Sequence, residues 1–366
     1  MIGRLGLVAV VLVAGFAAQP IRTSAPGLVP VRAITVPRDT ASTAPSTKTK
    51  AASPRPAAPK PAAHRRHHQS SQRPPAQRKA VAAQPVLPAL TFRIASFNAL
   101  GASHTAAGGD EASRPSGATR ALRAALLVQR ARFDVVGFQE LQSIQRSTFL
   151  KAVHQTYQLY PGDQLRAEDG ENSIAWRADE WQLLKAASVP IAYFGGHPRN
   201  MPIVLLRDRA TGLSAWFANF HNPADTNRFG KQGKWRVIDK AQEIKIFQAL
   251  QDTRLPVFVT GDMNERSSYF CSVSQSARLV SASGGDVIGG CHPPAGGSID
   301  WIFGSPGVVF SSYLSDRSRF VQSTTDHPVV SSDATLDGAL FPQAVLPPVN
   351  AGASPKPSSI APGTTQ

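Results

Sequence analysis

Cysteine is almost missing from this chain: 366 residues hold only Cys271 and Cys291. Two thiols alone make a poor metal site. Long apolar runs are missing too. The longest uncharged apolar stretch, Leu5 to Ala18, has 14 residues, short of the roughly 20 that a membrane-spanning helix needs. No serine or cysteine nucleophile elbow occurs, and no glycine-rich phosphate loop ending in Gly-Lys-Ser/Thr. Any hydrolytic chemistry must therefore use water as the nucleophile. Acids are scarce at one end only. Residues 1–90 contain one acid against 13 Lys or Arg, whereas residues 91–345 contain 23 against 25. Most of the formal charge of +15 thus belongs to the N-terminal part and not to the body.

Residues 1–18 read as an export signal: Arg4 supplies the positive start, the apolar run follows, and Gly15 and Ala17 are small residues at a cleavage site. The alternative is an uncleaved N-terminal anchor. Residues 19–88 are rich in Ala, Pro, Ser, Thr and basic residues, with no apolar periodicity. Such a stretch cannot bury enough surface to offset its ordering entropy, so a disordered, proline-stiffened linker is expected. Residues 341–366 read as a similar tail. The densest basic cluster, His64-Arg65-Arg66-His67-His68, suits an anionic surface of lipid head groups, wall polymers or nucleic acid, or it is a solvated tether. In an exported chain two thiols are usually oxidised together. A Cys271–Cys291 bridge would close a loop of about 20 residues and add ~3 kcal/mol by the chain-entropy model.

The body, residues 89–340, alternates strands, hairpins and helices. Val257-Phe258-Val259-Thr260-Gly261-Asp262-Met263-Asn264 reads as a strand buried on both faces, ending at a turn with Gly261 as the turning residue. Thr91–Asn98 and Asp134–Gln139 read as further strands. Ser173–Trp176 and Trp181–Ala187 read as an antiparallel pair around Arg177–Glu180. Pro202–Arg207 and Leu213–Asn219 read as a hairpin. Helices are expected over Ser116–Arg132, with Leu122, Ala125, Leu126 and Gln129 on the apolar stripe, over Leu141–Tyr157, and over Gln232–Gln251, with Val237, Ala241, Ile244 and Gln248 on the stripe. The class is α+β.

Polar residues close several of these strands: Ser96-Phe97-Asn98, Gly137-Phe138-Gln139-Glu140, Asn219-Phe220-His221, Gly261-Asp262-Met263-Asn264. Ser298-Ile299-Asp300-Trp301 and Thr325-Asp326-His327-Pro328 follow. Each alone is an ordinary turn or cap. In this order, from about Thr91 to Asp333, the set resembles the endonuclease/exonuclease/phosphatase superfamily. The resemblance implies two packed, mainly antiparallel sheets with helices outside, a four-layer α/β/β/α body, and an active monomer with its motifs on one rim. It also implies roles. Glu140, Asn98 and Asp326 would serve a metal site for Mg²⁺, or another hard cation such as Mn²⁺ or Ca²⁺. Asp262 would take a proton from water, and Asn264 would donate to the phosphorus centre. His221 and His327 would serve the leaving group, with Asp300 fixing the tautomer of His327. Asn172 and Asn219 would touch substrate.

The expected activity is exported, metal-assisted hydrolysis of a phosphodiester, with a nuclease acting on DNA as the first reading. A phospholipase or sphingomyelinase is the second, for which Ile191-Ala192-Tyr193-Phe194 is the one candidate membrane-entry hairpin. A phosphomonoesterase is a third. A non-catalytic surface-binding protein that kept the fold is the reading from another class, and it predicts the loss of a key carboxylate or histidine. The nuclease reading rests on Asn227–Arg236, where Arg228, Lys231, Lys234 and Arg236 occur without an acid. Such a segment can track a phosphate backbone, although a solvated helix start reads the same way.

Overall fold

The computed structural model describes residues 87–345. The expected signal, nearly all of the expected linker and most of the expected tail lie outside the described residues. Twelve strands fall in chain order into two six-stranded sheets. β1 (Ala89–Asn98), β2 (Val135–Gln139), β3 (Tyr157–Tyr160) and β4 (Ser173–Arg177) build the first sheet. β5 (Trp181–Ala192), β6 (Pro198–Asp208), β7 (Ser214–His221), β8 (Val257–Asp262), β9 (Val280–Ser281) and β10 (Asp300–Gly304) build the second. The chain then returns to the first sheet with β11 (Val309–Asp316) and β12 (Val329–Asp337). The orders are β11-β12-β1-β2-β4-β3 and β5-β6-β7-β8-β10-β9. Each sheet has one parallel pair, β1–β2 and β7–β8, among antiparallel neighbours.

Helices α1 (Gly117–Ala131), α2 (Ser143–Ala152), α3 (Ala167–Gly170), α4 (Gly233–Gln251), α5 (Ser267–Ser276) and α6 (Arg319–Gln322) complete the body. Three apolar clusters divide the four layers. Phe92, Trp181, Phe217 and Phe258 lie between the sheets, with Phe92 at 5.1 Å from both Trp181 and Phe258. Phe97, Phe138 and Phe149 pack the first sheet against α1 and α2. Phe220, Phe247, Tyr269 and Phe303 pack the second against α4 and α5. This is the α/β/β/α sandwich expected. Val257, Phe258 and Val259 are fully buried, as a strand covered on both faces requires. Among the described residues no helix is long and apolar enough to cross a membrane.

Four local expectations need correction. β4 and β5 do not pair. Trp181 inserts into the core between the sheets, so β5 leaves the first sheet and pairs with β6, while β4 pairs with β2 and β3. The helical stripes are rotated. Leu122 and Leu126 of α1 are 54% and 37% exposed, while Arg120, Ala121, Ala124 and Val128 are buried, because small residues let the helix approach the sheet. In α4, Val237 is exposed and Asp239, Lys240, Glu243, Phe247 and Leu250 are buried. Gly261 is a strand residue. A Cβ there would lie 2.4 Å from the Phe220 carbonyl oxygen, so glycine serves close strand packing. Finally, the ordered body runs past residue 340: Ala344 is fully buried, and Val345 bridges to Leu213.

Candidate active site

Strand register assembles the site. The parallel β7–β8 ladder sets His221 beside Asp262, and the antiparallel β8–β10 ladder sets Asp262 beside Asp300. In the first sheet the β1–β2 ladder pairs Asn98 with Gln139, which leaves Glu140 one residue beyond the strand. Asn98 joins the two sheets: its Nδ2 donates to Glu140 Oε1 at 2.9 Å and to Asp262 Oδ2 at 3.1 Å. Two residues turn the chain with left-handed backbones, Glu140 (φ 58°) and Asn264 (φ 47°). Asparagine tolerates this region, whereas a glutamate there holds strain of roughly 1–3 kcal/mol, the kind that functional sites retain.

A buried amide network underlies this row. Asn219 Nδ2 donates to the Phe138 carbonyl at 2.7 Å, and its Oδ1 accepts from Gln139 Nε2 at 2.6 Å and Thr260 Oγ1 at 3.1 Å. The network crosses between the sheets because residue 137 is glycine. A Cβ there would stand 1.9 Å from Thr260 Oγ1.

The acids and histidines sit at different protonation levels. His327 Nδ1 bonds both Asp300 oxygens, at 3.0 and 3.1 Å, and its Nε2 lies 3.7 Å from Asp262 Oδ2. Burial lowers the His327 pKa, but the Asp300 bond and charge, with Asp262 and Asp326, outweigh it and raise the value to about 10. His327 is therefore an imidazolium at neutral pH. His221 is pushed the other way: burial outweighs the charges of Asp262 and Glu140 and lowers it. Its Nδ1 bonds the Tyr193 hydroxyl at 3.2 Å, and its Nε2 lies 3.7 Å from Asp262 Oδ2. Asp262 is raised to about 6 by burial and by the Asp300 charge, against the two histidines. Burial alone would raise Glu140. His221, the Gly101 N–H at 2.8 Å and Asn98 hold it below the usual carboxylate value instead.

Glu140, His221, Asp262, Asn264, Asp300 and His327 thus converge as expected. Asn264 donates its backbone N–H to Asp262 Oδ1 at 3.0 Å and its Nδ2 to the Asn222 carbonyl at 2.8 Å. Asn98, expected to help position the metal, also bridges the sheets: its Oδ1 accepts from Leu100 N at 3.0 Å and its Nδ2 serves two carboxylates. Asn219 is corrected from substrate contact to internal support: it is fully buried, with both amide atoms engaged. Asn172 directly precedes β4, whose first residue, Ser173, pairs with Phe138 of β2. It is buried with neither amide atom bonded among the described residues. Asp326 is exposed on the rim, where its charge acts on His104, Arg120 and His327.

The basic segment reaches the site through aromatic rings. Phe229 stacks on Phe194 at 4.6 Å, next to the Tyr193 that bonds His221. Arg228 lies over Phe229 and Lys234 over Trp235. Arg236 is engaged by Asp225 at 2.8 Å, leaving Arg228, Lys231 and Lys234 exposed. Ile191 and Tyr193 are buried and Phe194 is half-buried, so the expected membrane-entry hairpin faces inward. Cys271 and Cys291 form the expected bridge.

Four functional neighbours escaped the sequence reading. Tyr193 orients His221. Arg199 lies 4.6 Å from the Tyr193 ring centre and 3.1 Å from Glu171. His104 Nδ1 bonds Asp110 at 2.7 Å, and its Nε2 stands 3.5 Å from Glu140. Buried Arg120 donates to the carbonyls of Ala99, Leu100 and Gly101, pinning the loop that carries the Gly101 N–H. Tyr193 follows the end of β5 and Arg199 stands at the start of β6, but neither belongs to the polar motifs that were the signal used; the His104/Asp110 pair in an otherwise small-residue loop was the one local hint.

The donor set suits a hard divalent cation. Glu140 is ionised and 23% exposed, an oxygen donor of the kind hard cations take. Asp262, Asp300 and His327 also offer ligand atoms within 4.8 Å of one another. Within that trio, Nδ1 of His327 and the Asp300 oxygens already bond each other.

Two facing sheets with this acidic and histidine-bearing rim define the class: sandwich-fold phosphoester hydrolases. The model of the Endonuclease/Exonuclease/phosphatase family matches residues 95–327, and the chain belongs to that family. Members of its superfamily are hydrolases acting on phosphoesters. Similar solved structures include an endonuclease/exonuclease/phosphatase family protein from Bacteroides thetaiotaomicron, at 20% identity and TM-score 0.55, covering 69% of this chain and 97% of that one. A mannosyl-6-phosphatase of the same species shares 21% identity at TM-score 0.52, covering 66% and 99%. The human Nocturnin catalytic domain with bound sulfate shares 16% at TM-score 0.52, covering 67% and 94%. At these identities the likeness is one of fold. A search of curated proteins gives no match.

Proposed function

We propose that the protein is an exported, divalent-cation-dependent phosphodiesterase, with nucleic acid as its substrate class. The observation that carries the chemistry is the position of Asp262, whose Oδ2 lies 3.7 Å from Nε2 of both a neutral and a cationic histidine. Asp262, with a pKa near 6, is ionised at neutral pH and accepts the proton of the attacking water. His327, held protonated by Asp300, gives a proton to the leaving oxygen. His221, fixed by Tyr193, and Asn264 donate to the charge that develops on the phosphoryl oxygens. A cation bound at Glu140, with Asn98 holding that carboxylate in place, would polarise a phosphoryl oxygen.

No key carboxylate or histidine is replaced in the sequence, which weighs against the surface-binding reading. The inward-facing Ile191–Phe194 segment weighs against lipid. The exposed Arg228, Lys231 and Lys234 beside the site favour a polyanion. The Cys271–Cys291 bridge suits an oxidising compartment and so supports export. Activity as a monomer, and a basic arm that holds an anionic surface, complete the reading.

The test is hydrolysis by the full chain of plasmid DNA, bis(p-nitrophenyl) phosphate, sphingomyelin vesicles and sugar monophosphates, each with Mg²⁺, Mn²⁺ or Ca²⁺ and with EDTA. Cation-dependent cleavage of the two diesters, with DNA preferred, is expected. Glu140→Gln should lower it, with only partial recovery at high Mg²⁺. Hydrolysis that persists in EDTA, or that is confined to monoesters, would refute the reading.

A further inference from the structure

Beyond His327 the rim opens into a cleft of about 230 Å³ that the chemistry above leaves unused. Its walls carry Arg266, Arg317, Asp326, His327 and the Gly296–Gly297 loop. Apart from Ile299 and Pro328 the lining is polar or glycine, which does not suit a lipid chain. Its volume is below the roughly 300–1,000 Å³ of pockets that enclose a whole small ligand. It has room for one unit of a larger substrate.

Two cations in it have unused donors. Arg266 gives one N–H to the Gly297 carbonyl, an anchor made by the left-handed Gly297 turn (φ 44°). Its other guanidinium donors bond nothing among the described residues. Arg317, at the end of the β11 edge strand, has no hydrogen bond or ion pair among them. Both side chains are exposed. Of the two acids present, Asp300 is engaged by His327, and Asp326 acts on His104, Arg120 and His327. A guanidinium fork with free donors matches the tetrahedral oxygens of a phosphate.

The position of the acid gives the cleft a direction. His327 delivers its proton to the leaving oxygen, so the leaving group lies against His327 and continues into the space that His327 borders. We propose that this cleft holds the leaving-group side of the substrate, and that Arg266 and Arg317 bind a second phosphate carried by that leaving group. The substrate is then a chain of phosphodiesters, or an ester whose alcohol is itself phosphorylated. This inference rests on the phosphodiesterase reading and deepens it. Together with Arg228, Lys231 and Lys234 beyond His221, it places cations on both sides of the scissile phosphate.

The experiment compares kcat/KM of the full chain on the thymidine dinucleotide TpT and on its phosphorylated forms pTpT and TpTp. Bis(p-nitrophenyl) phosphate, whose leaving group has no phosphate, is the reference. The wild type should prefer one of the two phosphorylated dinucleotides over TpT by ~10-fold or more, as charge-assisted hydrogen bonds imply. That form identifies which end leaves. Arg266→Ala with Arg317→Ala should abolish the preference, with an unchanged circular-dichroism spectrum and melting temperature. Arg266→Lys with Arg317→Lys should restore part of it, because the charge returns without the fork. A wild type that ignores the terminal phosphate, a preference that survives in the alanine pair, or an equal loss on every substrate including the reference would each overturn the assignment. Failure of the wild type to cleave even the reference ester would instead overturn the phosphodiesterase reading, and this inference with it.

Discussion

Asp262 and Asp300 stand opposite one another in the β8–β10 ladder, both nearly fully buried, yet they have different partners. Asp300 gives both oxygens to His327 Nδ1. Asp262 accepts only from the Asn98 amide and the Asn264 N–H, and burial together with the Asp300 charge pushes its pKa up to about 6. Two like acids in register thus become a base and a histidine anchor, because their hydrogen-bond partners differ.

Asp262→Ala and His327→Ala should each lower turnover ~100-fold or more, since general acid–base and electrostatic effects carry such factors. Circular dichroism should show the fold kept. Retention of more than half the activity in both variants would refute the assignment of base and acid.

Stability should fall as pH rises from about 5 to about 8.5. Burial raises Glu243 to about 8, Asp239 to about 7 and Asp262 to about 6. An acid whose folded pKa lies above its unfolded value binds its proton more tightly in the fold. That stabilisation is complete below the unfolded pKa of ~4 and is lost as pH passes the folded value. Glu243→Gln keeps an acceptor for the Tyr269 hydroxyl, 2.7 Å away, and should flatten the slope. A melting temperature that instead climbs between pH 5 and 8.5 would contradict the raised pKa values of these buried acids.

The protein should show no free thiol before reduction, since its only two cysteines are joined. Reduction should lower the melting temperature, in line with ~3 kcal/mol for a loop of this length. Two alkylatable cysteines in the native protein would rule the bridge out.

Lys231→Glu with Lys234→Glu should weaken DNA cleavage and reduce its salt dependence, because each lost phosphate contact removes a released counterion. Hydrolysis of bis(p-nitrophenyl) phosphate should fall much less. Equal loss on both substrates would mean that the segment supports the His221 loop through Phe229 and Phe194, and no loss on either would remove it as a docking surface.

Much of this was legible because strand ends announce themselves locally. Val257–Val259 ahead of Asp262, and Val135–Phe138 ahead of Glu140, are apolar runs closed by a carboxylate, and burying an unpaired charge is costly enough to mark the position. The polar motifs in their order carried the resemblance, and the resemblance supplied the sandwich and most of the rim. Register was not legible. Only the paired ladders show that His221, Asp262 and Asp300 share one row, that Asn98 joins the sheets, and that Asn219 lies beneath the site. Helix faces were misread for a related reason. Apolar periodicity assumes that charges face water, whereas Asp239 and Glu243 are buried against the Ala192 N–H and the Tyr269 hydroxyl, and Arg120 against loop carbonyls. Those partners come from distant segments of chain. The chain by itself determined which residues could do the chemistry. Only the tertiary structure decided which of them meet, because each contact that matters joins residues tens to hundreds of positions apart.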